Sequence, residues 1–246
     1  MFDAAEKFLN RVESLIEMLI LDSQYDNEIG VTKIENRPLV ETFRQSVVIL
    51  PIAFFEDFLR TLVEQYIDKL NSSNPRVKWE NLPVSLRKAH IFNTAVTMRK
   101  KSLDGNDDIY QSACLGELKA VFEKIVSPIV TPDRYLIVAE SFTHTNSNPS
   151  SDTVRNMFKI IGINNIFEKL STSLIVLDPA YTEADSVKRK LDEIVEKRHG
   201  VAHGRPASSI TREELIQNLV FLQCVVIRLQ MITMQFYGQL LRTIIY

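Results

Sequence analysis

The stretch TREELIQNLVFLQCVVIRLQMI, residues 211–232, decides the fold class. Thr211, followed three residues later by Glu214, forms a capping-box signature, so we expect a helix to begin here and to run within 210–245. Apolar residues then recur at alternating four- and three-residue intervals, at Leu215, Leu219, Leu222, Val226 and Leu229. This spacing places them on one face of the helix and predicts packing in a bundle or at a subunit interface.

The rest of the chain also has the pattern of an all-α protein. Only 7 of its 246 residues are glycine and 9 are proline, which is too few turn formers for many short strands. Periodicity predicts further helices at 2–21, 39–70, 83–101, 109–126, 152–161, 166–170 and 182–201. A short strand or an irregular crossing is expected at YLIVAESF, residues 135–142. The overall prediction is one helical domain, 1–246, with an elaboration at about 75–175.

Several positions are expected to interrupt or begin these helices. The polar stretch DSQYDNEIG, residues 22–30, is interpreted as a hinge after the first helix. Pro51 should kink or break the long helix at 39–70, because proline cannot donate a hydrogen bond to the preceding turn. Asp152 is expected to cap the helix at 152–161, and Ser147 and Asn148 are interpreted as capping residues ahead of it.

Composition narrows the function classes. A net charge of −2 neither requires nor excludes a nucleic-acid partner. The two cysteines form no framework, which is typical of a reducing compartment. The N-terminus has acids among its apolar residues, unlike a signal peptide, and the apolar run 219–232 is interrupted by Gln223, Arg228 and Gln230. We therefore expect a cytoplasmic protein with no membrane span.

The segment EIVEKRHGVAHGRP, residues 193–206, is the candidate reaction centre, and three interpretations of it are open. The first is a metal site. Glu196, His199 and His203 have the three-four spacing of metal ligands on one helix face. However, bundle metal sites need a second Glu-x-x-His, which the sequence lacks, so neither metal nor cofactor is predicted. Alternatively, Lys, Arg, His and Gly are simply the residues that end helices.

A third interpretation is metal-free phosphodiester chemistry. The guanidinium of Arg198 suits phosphate oxygens, and the imidazole of His203 can move a proton near neutral pH. Five residues on an ideal helix correspond to roughly 140° of rotation, so the two side chains do not align. We expect them to converge only if the helix loosens at Gly200 or if two subunits share one cleft.

The string RHGVAH, residues 198–203, resembles the Arg-x4-6-His motif of the HEPN superfamily. The wider IVEKRHGVAHG is similar to the IVxxRNxxAHG core of that superfamily, with His199 in place of the commoner Asn. Two further segments, VVILPIAFFEDFLRTLVEQYI (47–67) and NSNPSSDTVRNMFKIIGI (146–163), resemble the RiboL-PSP-HEPN type of prokaryotic conflict systems.

The resemblance implies an all-α HEPN-like helical bundle that is a metal-independent endoribonuclease. Its RNA products would be a 2′,3′-cyclic phosphate and a 5′-hydroxyl. It also implies a homodimer with two motifs in one cleft, and a toxin or antiphage effector with an antitoxin or another conflict-system partner. Arg198 and His203 would be catalytic. His199 would be a second titrating group or an orienting group.

Glu56 is the other candidate supporting residue. The resemblance implies that Glu56 orients Arg198 or His203. The alternative role for Glu56 is an ion pair with Arg60 along the same helix. A second function class also stays open: a non-catalytic helical module that binds RNA, a nucleotide or a protein. The net charge and the lack of a strong basic stripe favour this class.

Overall fold

The computed structural model describes residues 2–29, 37–103, 123, 135–139, 142, 148–175, 179–207 and 210–243. Within these residues the regular secondary structure is helical and no strand occurs, which confirms the all-α fold. The α-helices are α1 (Ala4–Ile29), α2 (Arg37–Ser72), α3 (Val84–Leu103), α4 (Ser151–Ile160), α5 (Ile166–Leu174), α6 (Ala184–Ala202) and α7 (Arg212–Arg242). Two 3₁₀ turns lie at Trp79–Asn81 and Pro179–Tyr181.

Two predicted helix interruptions are absent. The hinge predicted at 22–30 is wrong, because α1 continues through Ile29. Its polar residues contain no proline or glycine before Gly30, so nothing in the backbone chemistry ends the helix earlier. The break predicted at Pro51 is also wrong, because Pro51 lies inside α2, and the alternative of a kink there stays a prediction. A proline removes one hydrogen bond, and burial of its neighbours Ile52 and Phe55 keeps the helix in place.

The start of α4 differs from the prediction. Ser150, and not Asp152, caps this helix, with its Oγ accepting a hydrogen bond from Thr153 N at 3.3 Å. Asp152 instead pairs with Arg155 at 2.9 Å, which is a helical ion pair in the first turn. The described residues of 135–142 are not a strand, and the predicted helix at 109–126 lies outside the described residues apart from 123.

The chain divides into two compact units, and α2, α4 and α7 contribute residues to both. Unit 1 comprises 1–59, 147–155 and 165–232. In it, Phe8 of α1 packs against Phe55 and Phe58 of α2, with ring centroids 6.4 and 6.1 Å apart. Residues of α2, α6 and α7 line a cavity of only about 20 Å³, so these three helices form a well-packed core.

Unit 2 comprises 60–146, 156–164 and 233–246. Tyr66 is fully buried in it, stacks against Phe236 at 6.5 Å and donates a hydrogen bond to Ile161 O at 3.4 Å. Burial raises the pKa of the Tyr66 phenol strongly. Tyr135 donates a hydrogen bond to Val77 O at 2.6 Å, and burial raises the pKa of Tyr135 to about 12. The single domain with an elaboration at about 75–175 stays a prediction.

Helix α7 is apolar enough to cross a membrane by length and composition, and no other described helix meets that test. An 18-residue window of this helix has a mean hydropathy of 1.7 despite its polar residues, and the absence of a membrane span stays a prediction. The same test is passed by core helices of globular proteins, and 44% of this window is buried in the structure. Leu215, Leu219 and Leu222 line the small cavity that α7 shares with α2 and α6, as the apolar stripe predicts.

Candidate functional site

The candidate segment ends a regular helix in a defined turn. Helix α6 is helical through Ala202, and His203 follows as its C-cap residue. Gly204 has φ +94°, its N–H bonds Val201 O at 3.0 Å, and Arg205 N–H bonds Gly200 O at 2.9 Å. These two hydrogen bonds are those of a Schellman motif, so the helix-end interpretation of this segment is correct as a description of its backbone.

Gly200 stays within α6 and makes room for a side chain. A Cβ at this position would lie 2.8 Å from Arg205 Cδ and 3.3 Å from Arg205 Nη1. The Arg205 side chain therefore crosses the helix directly over Gly200. The loosening at Gly200 that would bring Arg198 and His203 together on one chain does not occur.

Arg198 lies on the buried side of α6. It is four residues beyond Ile194 and three beyond Val195, both of which are buried. Its Nη1 donates a hydrogen bond to Asn148 Oδ1 at 3.2 Å, across the 50 residues that separate them in sequence. Its Nε is buried and has no hydrogen-bond partner in the described part of the chain. The guanidinium is thus anchored at one nitrogen and retains donor capacity that the described residues do not use.

His199 and His203 lie together on the exposed side of the same helix. Both side chains are exposed, and their ring centroids are 4.2 Å apart with an interplanar angle of 60°. This is the contact expected for residues four apart on a regular helix. Within one chain, His203 therefore meets His199 and not Arg198, and the rotation of roughly 140° between Arg198 and His203 is preserved.

The loop before α4 adds residues that the sequence did not identify. Asn148, interpreted as a cap, uses its side chain as the acceptor for Arg198. Asp192 of α6 accepts hydrogen bonds from Ser151 N at 2.8 Å and from Ser151 Oγ at 2.6 Å. This carboxylate occupies the positive end of α4 and fixes that end against α6. No sequence signal links residues 41 positions apart, so only the tertiary structure shows this pairing.

Glu41 of α2 contacts the residue that directly follows the segment 193–206. Its Oε1 accepts a hydrogen bond from Ala207 N at 2.5 Å, just beyond the helix end. Glu56 lies fifteen residues further along α2, which corresponds to about 22 Å along the axis of a regular helix. Val47, Val48 and Pro51 face Ile194 and Lys197, so α2 runs antiparallel to α6 and Glu56 lies beyond this contact, away from His203. The supporting role of Glu56 stays a prediction, and the geometry favours Glu41 for it.

Lys197 forms an ion pair with Glu193 of its own helix, α6, and a second with Glu214, which joins α6 to α7. Burial lowers the pKa of the Lys197 ammonium, but its hydrogen bonds to the two carboxylates outweigh this effect, and the pKa is raised above its ordinary value. The hydrogen bond from Lys197 lowers the pKa of Glu193. These charges neutralise one another beside the motif, so Lys197 does not act as an open phosphate contact. Thr211 accepts a hydrogen bond from Glu214 N at 3.2 Å, which confirms the predicted cap of α7.

A metal centre with three or more His, Cys, Asp or Glu ligands is absent from the described residues. The three-ligand interpretation of Glu196, His199 and His203 is therefore not supported there. A separate groove of about 760 Å³ lies between α5, α6 and α7. Tyr181 and Phe221, with ring centroids 5.2 Å apart, line it together with Arg189 and Lys190. Glu193 also lines it, 3.9 Å from Lys190, so the groove combines aromatic surface with charges of both signs.

The fold and the motif together define a class: an all-α protein whose Arg-x4-His segment closes one long helix and precedes another. The model of the RiboL-PSP-HEPN family matches residues 7–232, which is most of the chain. The chain belongs to this family, so the resemblance seen in the motif is confirmed. No curated protein and no solved structure gives a significant match.

Proposed function

We propose that this protein is a metal-independent endoribonuclease that uses the 2′-hydroxyl of RNA as its nucleophile. The observation that carries the proposal is Arg198 and His203 at the end of α6 in a chain of the RiboL-PSP-HEPN family. We further propose that it acts in the cytoplasm as a toxin or antiphage effector, with an antitoxin or another conflict-system partner.

The proposed chemistry is an internal transesterification. The 2′-oxygen bonds to phosphorus as its proton leaves, and the bond from phosphorus to the 5′-oxygen breaks as that oxygen gains a proton. The products are a 2′,3′-cyclic phosphate and a 5′-hydroxyl. His203 transfers a proton, since its imidazole is exposed at the helix end, and Arg198 stabilises the negative charge of the transition state. His199, in contact with His203, orients its ring or acts as a second proton-transfer group.

The geometry favours a cleft shared by two copies of the chain. Within one chain the roughly 140° between Arg198 and His203 directs them to different sides of α6. Arg198 is half-buried and not fully enclosed, so a second copy with its motif against the first would bring its own His203 to this side chain. Exposed apolar residues on α7 support a homodimer, because Val220, Ile227 and Met231 are 45%, 39% and 42% exposed.

The first experiment tests the chemistry. Purified protein is incubated with single-stranded RNA in EDTA, and the product ends are analysed. We expect 2′,3′-cyclic phosphates from the wild type and a loss of 10²-fold or more in rate for His203→Ala, the magnitude typical of a lost general acid or base. A requirement for a divalent ion, or cleavage that survives loss of both Arg198 and His203, would sink the mechanism.

The second experiment tests the shared cleft. Arg198→Ala and His203→Ala, each inactive alone, are mixed and allowed to exchange subunits. Random pairing makes half of the dimers mixed, and each mixed dimer holds one intact composite site, so about a quarter of the wild-type rate returns. If mixing restores nothing although mixed dimers form, each site belongs to one chain. That result removes the shared cleft and leaves the chemistry to the first experiment.

The second candidate function is a non-catalytic module that binds RNA or a nucleotide. The groove lined by Tyr181, Phe221, Arg189 and Lys190 favours it, because aromatic side chains stack on bases and cations attract phosphate. A gel shift with intact RNA, no products, and loss of binding in Arg189→Ala would support this function. RNA that shifts equally well with Arg189→Ala would remove the groove from consideration.

A further inference from the structure

The contact between His199 and His203 also has the arrangement of a pair of metal ligands. Their ring centroids are 4.2 Å apart, both side chains are exposed, and α6 stays regular up to Ala202. Histidines four residues apart on a helix share one face, and this is the spacing by which helical histidines hold zinc. Imidazole is a suitable ligand for zinc, nickel and copper ions.

The charges around this pair favour a cation. The pair lies at the C-terminal end of α6, where the helix dipole is negative. Glu196 is exposed one turn earlier, and helical geometry places Glu196, His199 and His203 within roughly 60° of rotation. Asp192, on the same side, is held by Ser151 and adds negative charge without being a free ligand.

Among the described residues, the cations Arg205 and Lys197 flank this surface, while Arg198 lies on the buried side of α6. Arg205 crosses over Gly200, on the side of α6 next to the histidine pair, where its charge weakens binding of an ion without occupying the site. Lys197 is neutralised by Glu193 and Glu214. The result is a site in which the protein supplies two imidazole nitrogens and solvent can supply the remaining ligands.

We infer that His199 and His203 form a two-imidazole site for a divalent transition-metal ion. Water completes the coordination shell, so the ion exchanges readily and is not a resident cofactor. An ion held here occupies the imidazole nitrogen through which His203 transfers its proton. Occupancy therefore switches off RNA cleavage, a consequence that rests on the proposed function.

Binding is measured first, by calorimetry with zinc chloride and with nickel chloride on the untagged chain. We expect one ion per chain. His199→Ala and His203→Ala should each weaken binding by about 10- to 100-fold or more, because loss of a group that only supports a metal ligand already has an effect of that size. Glu196→His adds a third imidazole one turn earlier in α6 and should tighten binding more than tenfold. Glu196→Gln should change the affinity less than about threefold. His144→Ala, which removes a histidine outside the motif, is the control. Binding that survives loss of both His199 and His203, or that is lost with His144→Ala, overturns the site.

Inhibition is measured separately, on cleavage first established in EDTA. Zinc in excess of chelator should stop the wild type, and renewed EDTA should restore it. Whatever rate His199→Ala retains, its half-inhibiting zinc concentration should rise at least tenfold. Binding without cleavage under any condition refutes the proposed function and leaves the site in place. Cleavage in a chain that binds no zinc refutes the site alone.

Discussion

Replacing Gly204 by alanine isolates the backbone requirement of the turn that positions His203. Gly204 has φ +94°, and a Cβ built there meets nothing within 4 Å, so the change introduces strain without a clash. A left-handed conformation costs an L-residue about 1–2 kcal/mol, partly offset by the lower entropy of the unfolded chain. We expect a net destabilisation of about 1 kcal/mol, which for a chain of this length lowers Tm by about 2 °C.

Gly238→Ala is the matched control, because it is the same chemical change in equally open space. Gly238 lies inside α7 with no neighbouring atom within 4 Å of its built Cβ, and its φ is not positive. Alanine should therefore stabilise the helix by about 0.5–1 kcal/mol, raising Tm by about 1–2 °C. Circular dichroism at 222 nm follows both melts. Shifts of the same sign for the two variants would refute the argument that φ, and not side-chain space, governs position 204.

The remaining predictions concern single contacts and are each checked by urea unfolding. Asn148→Ala removes the hydrogen-bond acceptor of Arg198 and should lower the free energy of unfolding by about 1–2 kcal/mol. Asn148→Asp keeps an acceptor and should recover this stability. Asn148→Ala should also slow any RNA cleavage. Lys197→Met removes two ion pairs and should lower the free energy of unfolding by about 1 kcal/mol near neutral pH. Because the folded pKa of Lys197 is raised, its contribution is complete below the unfolded pKa, and the difference from wild type should vanish as pH rises through the folded value. Tyr135→Phe leaves Val77 O without its hydrogen bond, should cost about 1–2 kcal/mol, and should remove from the alkaline absorbance titration the phenol whose pKa is about 12.

Much of the fold followed from local patterns. The capping box at Thr211 and the apolar stripe of α7 predicted a helix that the structure shows from Arg212 to Arg242. The interruptions were less predictable. Polarity suggested a hinge at 22–30 and Pro51 suggested a break, yet both segments are helical, because neither polarity nor a single proline outweighs the packing of the rest of the helix.

The candidate site was predictable as a string and not as a geometry. The motif identified Arg198 and His203, and helical rotation correctly implied that they diverge on one chain. The partner of Arg198 and the acid beside the helix end were not predictable, because Asn148 is 50 positions and Glu41 is 166 positions from the residues they contact. Asp192 was likewise unremarkable in sequence, since a surface carboxylate gives no sign that it will cap another helix.

Spacing along the chain was enough to predict the all-α class, the family and the chemical identity of the motif. Which side of α6 is buried, and which groups contact each motif residue, became known only from the packed helices. Arg198 turns inward to Asn148, while His199 and His203 meet at the surface. The physical reason is that a helix fixes angles between its own residues, whereas the partners on each side are supplied by other helices that only folding brings near.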